Sequence, residues 1–107
     1  MSGYVFHPEA VADLEQIFDY IAERNVEAAD RVVEQIFNTL QTLASSPRIG
    51  HERSDLASRP IRFFIVLDYL IAYVPDEKPL WVLAVIHGRR NPRVIAAVLQ
   101  GRNREEE

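Results

Sequence analysis

Residues 61–86 read IRFFIVLDYLIAYVPDEKPLWVLAVI, and the fold class follows from this stretch. Ile61–Val66, Tyr69–Val74 and Leu80–Ile86 are three runs rich in Ile, Val, Phe, Tyr and Trp, the residue types that suit a pleated surface. Leu67-Asp68 leaves room only for a tight link between the first two, and Pro75–Pro79 forms a longer turn with proline at both ends. Links this short make the strands consecutive antiparallel neighbours, because a parallel return needs a long crossover. Side chains alternate along a strand. Leu80, Val82, Ala84 and Ile86 are therefore expected on one face, and Trp81, Leu83 and Val85 on the other. Leu70, Ala72 and Val74 likewise oppose Tyr69, Ile71 and Tyr73. Both faces are apolar, and both need cover.

Upstream, the apolar period changes from two to nearly four. Pro8 suits the first position of a helix, where its missing N–H costs nothing. Val11, Leu14, Ile17, Phe18 and Ile21 then recur at helical spacing among Glu9, Asp13, Glu15, Asp19 and Glu23. Asn25 is placed to cap a second helix carrying Val33, Ile36, Phe37, Leu40 and Leu43, which stops near Ser45-Ser46-Pro47. So short a joint folds the pair into a helical hairpin. Arg48–Pro60 is polar and lacks an apolar period, so it reads as a connecting loop. Tyr4-Val5-Phe6 adds a strand before the first helix. After the last strand, Asn91-Pro92 opens a short helix with Val94, Ile95, Val98 and Leu99, ended by Gly101.

The predicted architecture is α+β, in the order β-α-α-β-β-β, with the hairpin packed on a small, mainly antiparallel sheet and a short C-terminal helix. Residues 3–100 are expected to form one domain and residues 101–107 a charged, disordered tail. The hairpin can cover only one apolar face of the strands. The second face requires the C-terminal helix, self-association or a partner segment.

Among 107 residues, 48% are apolar and 26% charged, which excludes a disordered chain. There is no Cys, hence no disulfide framework or thiolate metal site, and a reducing cytosol fits. Met1-Ser2-Gly3-Tyr4 lacks the features of a signal peptide, and no apolar run is long enough to cross a bilayer. A cytoplasmic protein without membrane contact is the expectation. The net charge of −4 conceals a split. Residues 1–47 hold two Arg against eight acids, whereas residues 48–104 hold ten basic residues, nine of them Arg, against five acids. That asymmetry points to an interaction surface for a polyanion or an acidic partner.

Familiar catalytic signatures are missing. His7, His51 and His87 are too widely spaced for a metal signature, and there is no Walker loop, nucleophile elbow or dinucleotide fingerprint. No cofactor is expected. Glu15, Asp19 and Glu23 lie four apart on one helix face, as a solvated stripe would. The dense polar constellation is basic: Arg59 and Arg62 near the second strand, and His87-Gly88-Arg89-Arg90-Asn91 where the last strand ends. Arg62 shares its face with Phe64 and Val66, and strict alternation gives His87 the face of Trp81. If these groups converge, they could grip phosphate or an acidic partner, or support metal-free cleavage of a phosphodiester with His87 as acid or base. Pairing with the acidic helices is the structural alternative.

Several segments together resemble the ParE branch of the RelE/ParE toxin superfamily. These are Pro8-Glu9-Ala10, Asp13–Glu23, Ser46-Pro47-Arg48-Ile49-Gly50, Tyr69-Leu70-Ile71-Ala72-Tyr73 and Val85-Ile86-His87-Gly88-Arg89-Arg90-Asn91-Pro92, in an order that spans residues 4–99. The resemblance implies the toxin of a bacterial type II toxin–antitoxin pair, neutralised by a cognate antitoxin. ParE-like members inhibit DNA gyrase and RelE-like members cleave mRNA on the ribosome. No aromatic follows Trp81 and Lys78 is the single lysine, unlike the basic, aromatic-completed surface of RelE-like nucleases. A non-enzymatic gyrase inhibitor is thus the first reading. A ribosome-dependent endoribonuclease using His87, Arg62, Arg89 and Arg90 is the alternative, and an antitoxin-binding module without toxicity the third. On the first reading Arg59, Arg62, Tyr73, Trp81, Arg89 and Arg90 are the expected contacts to target or antitoxin.

Overall fold

The computed structural model describes residues 3–57 and 60–103. Arg59 and the last residues of the expected tail lie outside this range. The chain runs β1 (Tyr4–Phe6), α1 (Pro8–Ala22), α2 (Val26–Ser45), β2 (His51–Glu52), β3 (Arg62–Val66), β4 (Tyr69–Val74), β5 (Leu80–His87) and α3 (Pro92–Asn103). The strands form one sheet in the order β1-β5-β4-β3-β2. Only β1 is parallel to its neighbour; β2 through β5 pair antiparallel, as the short links require.

Local chemistry explains the helix boundaries. The His7 side chain accepts the Glu9 N–H at 3.0 Å and Pro8 begins α1. Asn25 Oδ1 accepts the Ala28 N–H at 3.0 Å and starts α2, satisfying a donor that the first turn would leave orphaned. The buried stripe of α1 is Ala10, Leu14 and Ile17, and that of α2 is Ala29, Ile36, Leu40 and Leu43. Val11 and Phe37, expected in these stripes, lie toward solvent. Ala10 and Ala29 are both fully buried. A search for large apolar residues misses such alanines. Each fully buried Ile or Leu of these helices contributes about 1.5–3 kcal/mol of hydrophobic stabilisation.

The sheet separates two cores. On the hairpin side, the α1 and α2 stripes pack on Val66, Ile71, Tyr73, Leu80, Val82 and Val85. On the other side Leu56, Ile61, Phe63, Leu70, Ala72, Leu83, Ala84 and Ile86 are covered by Ile95 and Leu99 of α3. The second apolar face is thus covered over most of its area by α3 and by the segment before β3, and Ile65, across from Leu70, stays 64% exposed on it.

Strict alternation fails in β5. Ala72 pairs with Ala84 but Tyr73 pairs with Val82, so Leu83 is an extra residue on β5, a β-bulge. Leu83 and Ala84 consequently enter the same core, and the phase of the strand reverses beyond them. Val85 faces the hairpin with Leu80 and Val82, while Ala84 and Ile86 face α3 with Leu83. The expected assignment of Ala84 and Ile86 to the Leu80 face, and of Val85 to the Leu83 face, is corrected accordingly. His87 pairs with Tyr69, a residue of the hairpin-side core, and so does not share the face of Trp81, which packs against the α3 side.

Two further expectations change. The segment read as a loop contains a 3-10 turn, Pro47–Ile49, and the two-residue strand β2, too short to leave a pattern in the sequence. Helix α3 does not end at Gly101 but runs to Asn103. The reason is tertiary: Arg102, part of the expected tail, donates to Asp13 Oδ2 at 2.7 Å and Oδ1 at 3.0 Å and to the Leu83 carbonyl at 2.9 Å.

Candidate functional site

The basic residues that the sequence groups together occupy two ends of the sheet. Arg62 is cross-strand partner of Tyr73, and both belong to the end where β2 joins. The Arg62 guanidinium donates to the carbonyls of Gly50 at 2.7 Å and Arg48 at 3.3 Å. The Tyr73 hydroxyl donates to the Pro47 carbonyl at 2.6 Å and accepts the Gly50 N–H at 3.0 Å. Together these two side chains bind the Pro47–Gly50 turn to the sheet. Tyr73 is fully buried. It therefore offers no surface to a partner, contrary to the expectation for it, and burial raises its phenol above the usual range, opposed by the Gly50 hydrogen bond and the Arg62 and Arg48 charges. Trp81 is half-buried on the opposite face, its ring 5.9 Å from that of His7.

His87, Arg89 and Arg90 lie at the other end. The Tyr69–Tyr73 interval of four residues sets Arg62 and His87 roughly 13 Å apart along the strands, and about 10 Å apart across them. They do not converge. His87 meets Tyr69 edge to face at 5.5 Å, and its Nδ1 accepts the Arg89 N–H at 3.2 Å. That contact occupies Nδ1, so Nε2 is the ring nitrogen it leaves to other partners.

The turn after β5 is firmly held. Gly88 N–H donates to the Asp68 carbonyl at 2.8 Å, Arg90 N–H to the His87 carbonyl at 3.2 Å, and Arg93 N–H to Asn91 Oδ1 at 2.8 Å. Arg89, Arg90 and Arg93 project into solvent from this frame. A cavity of about 650 Å³ opens beside it, between α1 and the ends of β4 and β5. Its apolar floor includes Ile17, Ile21 and Val32, and Tyr69, His87 and Arg90 line its wall. Arg93 escapes notice in the sequence because it falls inside the terminal helix rather than in the basic run. Among the described residues, no group of three His, Asp or Glu could hold a metal ion, and no helix is long and apolar enough to cross a membrane.

A hairpin of helices on one face, a latched C-terminal helix on the other and an arginine-bearing turn at the sheet's end make a small α+β protein. The fold is that of a solved structure described as "Chromosomal ParDE TA system from P. aeruginosa", with a TM-score of 0.66 at 20% identity over 81% of this chain and 96% of that one. A family model for the ParE toxin of type II toxin–antitoxin systems matches residues 4–92. Toxin ParE3 of Caulobacter vibrioides is 32% identical over 81 residues, which is 74% of this chain and 79% of that protein. The chain belongs to the ParE family of type II toxin–antitoxin toxins.

Proposed function

We propose that this ParE-family toxin acts without catalysis by inhibiting DNA gyrase, and that a cognate antitoxin neutralises it. The observation that carries the choice against an RNase is the separation of Arg62 from His87. Metal-free phosphodiester cleavage needs a base, an acid and a cation around one phosphate. Here the guanidinium of Arg62 is committed to two backbone carbonyls at the far end of the sheet, and His87 Nδ1 to the Arg89 N–H. Gyrase as target rests on the resemblance to ParE-like toxins. The antitoxin is supported by the same resemblance and by the similar P. aeruginosa structure, which is of a ParDE system.

Arg89 and Arg90 are the proposed contacts to target or antitoxin. Among the earlier candidates Arg59 stays in that proposal on its sequence position alone, while the local bonds of Arg62 and Tyr73 support a role in holding the Pro47–Gly50 turn. Trp81, half-buried on the far face, supports the α3-side core.

Supercoiling of relaxed plasmid by purified gyrase, with increasing full-length toxin, tests the reading. Loss of supercoiling, restored on adding antitoxin, is expected. Unaffected supercoiling together with cleaved transcripts in induced cells would overturn it and return the nuclease to first place.

A further inference from the structure

The arginines of the second half are not equivalent. Arg48 meets Asp76 at 2.6 Å, Arg53 meets Asp55 at 2.8 Å, Arg62 holds two carbonyls and Arg102 holds Asp13. Among the described residues, Arg89, Arg90 and Arg93 have no carboxylate within ion-pair distance, and they are the three that share one turn. Asp68, the neighbouring acid, engages this turn through its backbone carbonyl. The three guanidinium groups are thus unneutralised, exposed and mounted on a backbone fixed by three hydrogen bonds of its own.

We propose that the Arg89-Arg90-Arg93 turn binds the phosphate backbone of duplex DNA directly, so that the toxin touches the nucleic acid held by its target as well as the target protein. This rests on the gyrase reading for its choice of DNA. Two points favour phosphate. Guanidinium groups match phosphate oxygens in a two-pronged geometry. The hairpin carries a run of exposed acids, Glu15, Asp19, Glu23, Glu27, Asp30 and Glu34, whereas Asp68 is the exposed acid that lines the cavity with Arg90. That outer face of the hairpin repels DNA, which favours approach of a duplex from the side of the turn. Such contacts position a protein without reading sequence.

Fluorescence anisotropy of a labelled 20-base-pair duplex, titrated with full-length toxin between 50 and 200 mM salt, tests the proposal. Three phosphate contacts give a slope of log affinity against log salt near −2.7, or about a 40-fold loss across that range. The R89A/R90A/R93A variant is expected to lose at least about tenfold in affinity at 50 mM salt and most of that slope, while R89K/R90K/R93K keeps the slope. Three outcomes overturn the proposal: no binding by the native protein at 50 mM salt, equal binding by a folded alanine variant, or tighter binding to single-stranded RNA. Displacement of the duplex by polyglutamate at equal charge concentration would also overturn it, assigning the turn to an acidic polypeptide. DNA binding without inhibition of supercoiling would leave the inference standing and remove the gyrase reading; inhibition without DNA binding would do the reverse.

Discussion

Asp13 and Arg102, 89 positions apart, form a two-pronged ion pair across the free side of β5 and join the helices on opposite faces of the sheet. β1 covers that side of β5 only as far as Val82, whose carbonyl accepts the His7 N–H at 2.9 Å. Beyond it the bulge leaves Leu83 O and Val85 N–H without a strand to meet. Arg102 takes the first at 2.9 Å and Asp13 Oδ2 the second at 3.0 Å. The pair therefore finishes the sheet edge and anchors α3 at the same time. Both side chains are largely buried, Arg102 at 10% exposure and Asp13 at 15%. Loss of Arg102 leaves the Asp13 carboxylate buried with the Val85 N–H as its remaining donor. Loss of Asp13 leaves Arg102 with the Leu83 carbonyl and with Glu9 at 3.6 Å.

Arg102→Ala should destabilise the protein by about 3–5 kcal/mol, the range for breaking a buried pair from one side. Because α3 covers the core containing Leu83, Ile86, Ile95 and Leu99, the same variant should bind a hydrophobic dye before the main unfolding transition. Urea denaturation with parallel dye fluorescence checks both. A stable, dye-silent variant would show that apolar packing alone holds the helix.

Tyr73 gives a pH dependence of definite sign. Burial raises its pKa in the folded state, so above about pH 10 the unfolded phenol gives up its proton first while the folded one keeps it. The unfolded chain then binds fewer protons, and stability falls as pH rises from there toward the folded pKa. Tyr4 and Tyr69, also raised chiefly by burial, act in the same direction. Tyr73→Phe should lose about 1–3 kcal/mol at neutral pH, since it orphans the Gly50 N–H, yet show a shallower alkaline decline. Urea midpoints between pH 8 and 11 test this.

Gly50→Ala should be as harmful as many core mutations. A methyl group there would run into the Tyr73 hydroxyl and lie 3.0 Å from the Phe63 carbonyl oxygen. Neither can yield easily, the one being a rigid ring in the core and the other backbone. A loss of roughly 1–3 kcal/mol is expected from thermal unfolding.

Leu67 is a residue where a substitution should help. It links β3 to β4 with φ of 56°, in the left-handed region that a branched apolar side chain adopts at a cost of about 1–2 kcal/mol. The side chain is half exposed, so little packing is lost on replacing it. Leu67→Asn should raise stability by about 1 kcal/mol and the thermal midpoint by roughly 4–8 °C.

The sequence made the elements legible because each carries its own signal: Asn25 and Asn91 as caps, Pro8 at a first turn, three β-rich runs between turn residues. Strand order among β3, β4 and β5 followed from link length. What stayed hidden depended on contacts between distant residues. The bulge at Leu83 has no composition of its own, and it moves His87 to the hairpin side. The roles of Arg62 and Tyr73 emerge only when pairing places both beneath the Pro47–Gly50 turn. Arg102 looks like tail until Asp13 is brought to it. At the candidate site, Arg89 and Arg90 were visible as a basic run. That they stay unpaired, and that Arg93 joins them, depends on where every carboxylate of the described chain ends up.

The extra residue in β5 also bears on how this gene can change. Leu83 is the one position between Val82 and Ala84 without a partner on β4, so loss of its single codon would make Ala72–Ala84 and Tyr73–Val82 consecutive pairs and leave every remaining side chain on its present face. His87 would still pair with Tyr69 on the hairpin side. What would go is one apolar group from the α3-side core and the carbonyl that Arg102 holds. The strand can lose this codon without reversing its faces, but the grip on α3 would have to be rebuilt.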